Sequence, residues 1–94
     1  MIRYEDKPKL KRNRRLIMQA IVYVRTDPGM ALDILDEIAG IEGVKFTAAV
    51  TGRFDIITRV EVENLEELGE KVVEEIHNLD GVRYTETAPI VARA

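Results

Sequence analysis

Apolar positions along this chain recur in two rhythms, one of period two and one of period 3.6, and the rhythms alternate. Residues 16–26, LIMQAIVYVRT, are rich in Ile, Val and Tyr and read as a strand. Further on, Ala31, Ile34, Leu35 and Ile38 fall at i, i+3, i+4 and i+7, a single apolar stripe on a helix. Asp27-Pro28 reads as an N-cap followed by proline at the first helical position, and Gly40 as the residue that ends the helix. Residues 44–51 and 54–62 are the second and third strands, joined by a tight turn at Gly52. Asn64 is placed to cap a second helix, with Leu65, Leu68, Val72, Ile76 and Leu79 as its buried stripe. Its other face is Glu66, Glu67, Glu70, Lys71, Glu74 and Glu75, an acidic solvated surface. Gly81 closes that helix and residues 82–91 form the last strand, where Pro89, unable to donate to a ladder, predicts a sheet edge.

Two stretches match, IEGVKFT at 41–47 and LDGVRYT at 79–85, with Gly43 and Gly81 in corresponding positions. The chain therefore reads as two βαβ halves. The order βαββαβ with right-handed crossovers is satisfied by a ferredoxin-like α+β sandwich: a four-stranded antiparallel sheet with both helices on one face. Strand alternation assigns Met18, Ala20, Val22, Val24, Phe54, Ile56, Val60 and Val62 to the helix-covered face. Gln19, Ile21, Tyr23, Arg25, Asp55, Ile57 and Arg59 fall on the other face. That second face is half apolar, and a surface of this kind marks a partner. The simplest partner is a second copy, sheet against sheet, with Ile21, Tyr23, Ile57 and Arg59 as the interface, an arrangement of the dimeric α/β-barrel type.

Composition narrows the function. The 94 residues allow one domain, and 46% hydrophobic with 33% charged residues describes a globular protein. No apolar run approaches the roughly 20 residues of a membrane span, and no cysteine is present, which suits a cytoplasmic setting. The net charge of −3 is unevenly spread: residues 1–15 hold seven basic groups against Glu5 and Asp6, a surplus of +5, so residues 16–94 carry −8. A basic arm thus precedes an acidic body, and it is either a solvated terminus or a phosphate-binding segment. Catalysis has little to work with. There is no Ser or Cys nucleophile, His77 has no companions for a metal site, and no glycine-rich phosphate loop is present. No catalytic residue, metal or cofactor is expected.

The turn TGRFD at 51–55 holds a hydroxyl and two opposite charges in a small space. On chemistry alone, Asp55 is either an acceptor for a ligand ammonium or a cap for backbone N–H groups, and Thr51 and Thr85 are either ligand hydroxyls or ordinary strand residues. The run strand–DPG–helix, IEGV, TGRFDIITRV, an acidic helix and LDGVRYTETAPIV resembles the effector-binding (RAM) domain of the Lrp/AsnC regulators over residues 17–92. The resemblance implies an amino-acid effector bound near the turn and the last strand, at Thr51, Gly52, Arg53, Phe54, Asp55, Thr85, Glu86 and Thr87. It also implies a homodimer built by sheet packing, assembly of dimers into an octamer or similar ring, and possible partnership with a full-length regulator. The 16 residues before the matched region are too few for a three-helix DNA-reading domain, so the likeness is to the stand-alone form of the module. The alternative from another class is a nucleic-acid binder, since RNA-recognition domains share this sandwich and Tyr23 lies on the open face. An acidic body and the absence of paired aromatics on the central strands would leave such binding to the basic arm.

Overall fold

The two strands richest in β-branched residues lie at the centre of the sheet. A computed structural model describes residues 17–94; the expected basic arm, residues 1–15, lies outside the described residues. The elements are β1 (Met18–Thr26), α1 (Ala31–Ala39), β2 (Val44–Ala49), β3 (Ile56–Val62), a second helix, α2, over 65–77, and β4 (Val82–Pro89). All neighbours in the sheet are antiparallel and the order is β2-β3-β1-β4, which makes this the ferredoxin-like sandwich. Pro89 does end an edge strand, where its missing N–H leaves no gap in the ladder.

Ala20, Val22 and Val24 of β1 pair with Val60, Thr58 and Ile56 of β3, and all six are fully buried beneath the helices. Ile34 and Ile38 of α1 and Leu68, Val72 and Ile76 of α2 close the core from above. Each such aliphatic side chain contributes about 1.5–3 kcal/mol by leaving water. The one hydroxyl among these six, on Thr58, shares a hydrogen bond of 2.9 Å with the hydroxyl of Thr47 on β2.

The buried positions of α2 are spaced by four, at 68, 72 and 76, and in a regular helix they would drift by about 40° per step. The helix accommodates them by underwinding: between α-helical segments at Leu65–Glu67 and Glu74–His77 it runs as a π-helix over Leu68–Val73. Bonds from i to i+5 widen the turn and so offset that drift. Leu65, expected in the stripe, is 61% exposed. Asn64 caps the helix as its sequence position predicts, its side-chain oxygen accepting from the Glu67 N–H at 2.7 Å, while Glu67 reaches back to accept from the Glu63 N–H.

Three boundaries differ from the sequence expectation. Asp27-Pro28-Gly29-Met30 is a turn rather than a helix start. The Met30 N–H donates to the Asp27 carbonyl at 3.1 Å and Gly29 has φ 80°, a type II turn with proline and glycine in their preferred places. β2 stops at Ala49 and β3 starts at Ile56, so the connection is longer than a two-residue hairpin. Within it the Val50 N–H donates to Asp55 and the Asp55 N–H donates to Val24, both at 2.9 Å, and the alternation slips by one residue before Ile56. As a result Phe54 and Asp55 exchange faces. Phe54, expected in the core, lies on the open face against Tyr23, and Asp55, expected on the open face, turns toward the α1 side. β4 ends at Pro89, two residues short of expectation.

The repeated Gly43 and Gly81 have the same backbone conformation, φ 98° and 94°, and each backs onto the helix of the other half. A Cβ on Gly43 would stand 3.4 Å from Val72 of α2; one on Gly81 would meet Met30 and Ile34 at 2.8–2.9 Å. Gly81→Ala is therefore expected to destabilise by roughly 1–2 kcal/mol, chiefly from left-handed strain, since the atoms it would meet are the flexible ends of Met30 and Ile34. Gly69→Ala, in α2 with open space around it, should gain about 0.5–1 kcal/mol. Urea denaturation of the two variants checks both signs.

Candidate functional site

Three segments distant in sequence meet at one corner of the open face: the end of β1, the β2–β3 connection and the start of β4. Strand alternation leaves Arg25 as the last open-face side chain of β1, and register places Tyr84 of β4 opposite it. The Arg25 Nε–H donates to the Arg53 carbonyl at 2.9 Å, which ties the connection to the central strand. Phe54, brought to this face by the slipped alternation, packs its ring 5.1 Å from Tyr23 and lies nearly parallel to Tyr84, at 12° and 6.4 Å. The guanidinium carbons of Arg25 and Arg53 stand 5.7 and 5.8 Å from the centre of the same ring, within reach of its negative face. Arg83 lies 3.6 Å from the carboxylate of Asp27, and Glu86 follows along β4. Arg25, Arg53, Phe54, Arg83, Tyr84 and Glu86 enclose an open cleft of about 400 Å³.

The charge of this corner is opposite to that of its surroundings. Residues 17–94 hold seven Lys and Arg, and three of them line the cleft with Glu86 as the only acid among its walls. A larger groove of about 560 Å³ lies beside α2 and the β2–β3 edge, but Glu42, Glu61, Glu63, Glu67, Glu70, Glu74 and Glu75 line it against Lys45 and Lys71. Like charges there oppose a carboxylate ligand, whereas the arginine corner attracts one.

The residues singled out in the sequence divide between the two sides of the sheet. Arg53, Phe54 and Glu86 are in the cleft. Thr51 and Gly52 are exposed in the connection, and Gly52 has φ 129° with open space about its Cα. The Asp55 carboxylate accepts from the Thr26 backbone N–H at 2.8 Å and from the Thr26 hydroxyl at 3.3 Å. It lines a shallow hollow with Pro28, Ala31 and Leu32 on the side of α1. Thr85 and Thr87 pair with Val24 and Val22 and so share the helix-covered face, opposite to Glu86. Arg25, Arg83 and Tyr84 complete the cleft although the sequence reading assigned them no role. Alternation had already put Arg25 on the open face, and the repeat matches Tyr84 to Phe46.

Ile21, Tyr23, Ile57 and Arg59 form one contiguous patch, since Ile21 pairs with Arg59 and Tyr23 with Ile57. Beyond it Glu61 accepts from Gln19 at 2.9 Å and from Arg59 at 3.2 Å, a polar border opposite to the aromatic corner. His77 is exposed on α2, and no group of three His, Cys, Asp or Glu among the described residues is arranged for a metal ion. No helix among them is long and apolar enough to cross a membrane.

The sequence pattern of the Lrp/AsnC ligand binding domain matches residues 19–94. The chain belongs to the Lrp/AsnC family. An uncharacterized HTH-type transcriptional regulator of Pyrococcus furiosus is 34% identical over 88 residues, 90% of this chain and 58% of that protein. This Lrp/AsnC chain thus spans little more than half the length of that curated relative. Among solved structures, a protein from Thermus thermophilus superposes with a TM-score of 0.77 at 28% identity, covering 82% of this chain and 96% of that one. A Neisseria meningitidis transcriptional regulator, solved as a complex with L-Met, shares the fold at a TM-score of 0.73 and 16% identity, covering 92% of this chain and 55% of that one. What the matches share with this chain is the ligand binding domain of the family.

Asp55→Ala would leave the Thr26 N–H, on a residue only 7% exposed, without its acceptor. The expected loss is about 1–3 kcal/mol in urea denaturation. Asp55→Asn, which keeps an oxygen in place, should lose less.

Proposed function

We propose that this chain senses an amino acid or closely related metabolite at the arginine–aromatic corner and passes its occupancy to transcription through assembly. The observation that carries the reading is the gathering of Arg25, Arg53 and Arg83 around Phe54, Tyr84 and Glu86 in an otherwise acidic body. A free amino acid needs donors for its carboxylate and an anionic acceptor for its ammonium. Guanidinium groups suit the first and Glu86 the second. The N–H groups about Gly52 and the hydroxyl of Thr51, next to Arg53 in the connection, would add to the clamp in this reading. Asp55, Thr85 and Thr87 then support the site from the other side of the sheet instead of touching the ligand. The L-Met bound to a Neisseria regulator of this fold lends support to an amino acid as the ligand class. The open face, with Ile21, Tyr23, Ile57 and Arg59 at its centre, packs against a second copy in this reading, and dimers join into a ring or pair with a longer regulator.

Thermal-shift titration with the twenty amino acids tests the ligand class. A ligand present at 100 times its Kd adds about 2.7 kcal/mol to stability, enough to raise the melting temperature by several degrees. If none of the twenty raises it, an amino acid is excluded as the ligand. The assembly has its own test. Ile21→Asp or Ile57→Asp would set a charge into the apolar contact, at a cost of several kcal/mol, and light scattering should show dissociation. An unchanged mass in both variants would exclude sheet-to-sheet pairing.

A further inference from the structure

The walls of the arginine–aromatic cleft are selective in kind. Not one of its six lining residues is aliphatic: there are three guanidinium planes, two aromatic rings and one carboxylate. A branched aliphatic side chain would find no Leu, Ile, Val or Met surface to replace water. A cationic side chain would face three arginines against one acid. A planar π system meets complementary surfaces on both wall types, since ring faces stack on aromatic rings and on guanidinium planes alike. The ring of Tyr84, on a residue 49% exposed, lies nearly parallel to that of Phe54, which itself packs on Tyr23, so three rings already form a row that ends at an open surface. Among the described residues the Arg53 guanidinium has no hydrogen-bonded or ion-paired partner, and Arg25 uses only its Nε, which leaves the outer nitrogens of both free for a carboxylate.

Resting on the sensing role above, we infer that the ligand of this cleft is an aryl carboxylate: an aromatic amino acid or the corresponding aryl 2-oxo acid. The carboxylate is held by Arg25 and Arg53, and the ring extends the row from Phe54 and Tyr84. Glu86 decides between the two members of the class, because only the amino acid brings an ammonium for it to accept.

Calorimetric titration of the full chain with L-phenylalanine, L-tyrosine and phenylpyruvate, against L-leucine, L-glutamate and L-lysine, tests this. The aryl acids should bind at least about tenfold more tightly than leucine, glutamate or lysine. Arg53→Ala should weaken them about tenfold or more through the lost charge-assisted bonds. Tyr84→Leu should erase the margin over leucine, and Glu86→Gln should weaken phenylalanine but not phenylpyruvate. Light scattering on each variant separates loss of the cleft from loss of assembly. If leucine or glutamate binds as well as the aryl acids and is lost in Arg53→Ala, the sensing role stands and the aryl preference is overturned. Aryl acids that bind equally well to Arg53→Ala and Tyr84→Leu would overturn the location. No binding by any of the six, together with no stabilisation by any of the twenty amino acids, would overturn both.

Discussion

The two halves of this fold are held in register by a reciprocal exchange between their glycines. The Gly43 carbonyl, just after α1, accepts the Glu61 N–H at the far end of β3 at 2.8 Å. The Gly81 carbonyl, just after α2, accepts the Asp27 N–H beyond the end of β1, also at 2.8 Å. Each glycine thus bonds to a central strand of the opposite half and presses against the opposite helix. A side chain at Gly43 would crowd the Glu61 carbonyl at 3.2 Å, and one at Gly81 would displace the ends of Met30 and Ile34. The core, the placement of β2 and β4 at the edges and the meeting of three segments at the ligand corner all presuppose this closeness. It explains why the repeat IEGVKFT/LDGVRYT keeps its glycine in both copies.

Charge is sorted within the frame so built. The outward side of α2 and the neighbouring sheet edge are acidic, and the opposite corner is basic. Such polarity steers a small anion away from one end and toward the other, an effect that weakens as salt shortens the screening length. The arginines do not sit idle as bare charges, because Phe54 offers its ring to two of them and Arg25 is fixed by the Arg53 carbonyl. Preorganisation of this sort lowers the ordering entropy that a ligand must otherwise overcome.

Much of the architecture was legible from the sequence because it rests on periodicity. Val22, Val24, Ile34, Ile38, Leu68, Val72 and Ile76 are core residues by their spacing and are buried in the structure, and Asn64 and Pro89 stand where their backbone chemistry requires. The site was less legible, for two physical reasons. The chain leaves the ladder before Ile56, so that Phe54 and Asp55 exchange faces, and a break of this kind leaves no mark in a period-two pattern. Arg25, Arg53 and Arg83 come from three segments, so their closeness depends on sheet order and register. Thr85 and Thr87 teach a different lesson. Their alternation with Glu86 was present in the sequence, and it already implied that the three could not share one face. Asp27-Pro28-Gly29 is a case of competing signals, in which the turn preference of Pro-Gly prevailed over the N-cap preference of Asp-Pro.

The hydroxyl pair of half-buried Thr47 and buried Thr58 acts as a proofreading device for assembly of the sheet. β2 is an edge strand whose pairing with β3 already shifts between Val44 and Phe46, so its alignment is the one most open to error. Displacement by one residue would turn the Thr47 hydroxyl outward and strand that of Thr58 in the apolar layer, a penalty of about 1–3 kcal/mol that apolar residues at these two positions would not impose. A polar pair at the margin of the core thus marks the correct alignment and penalises its near neighbours.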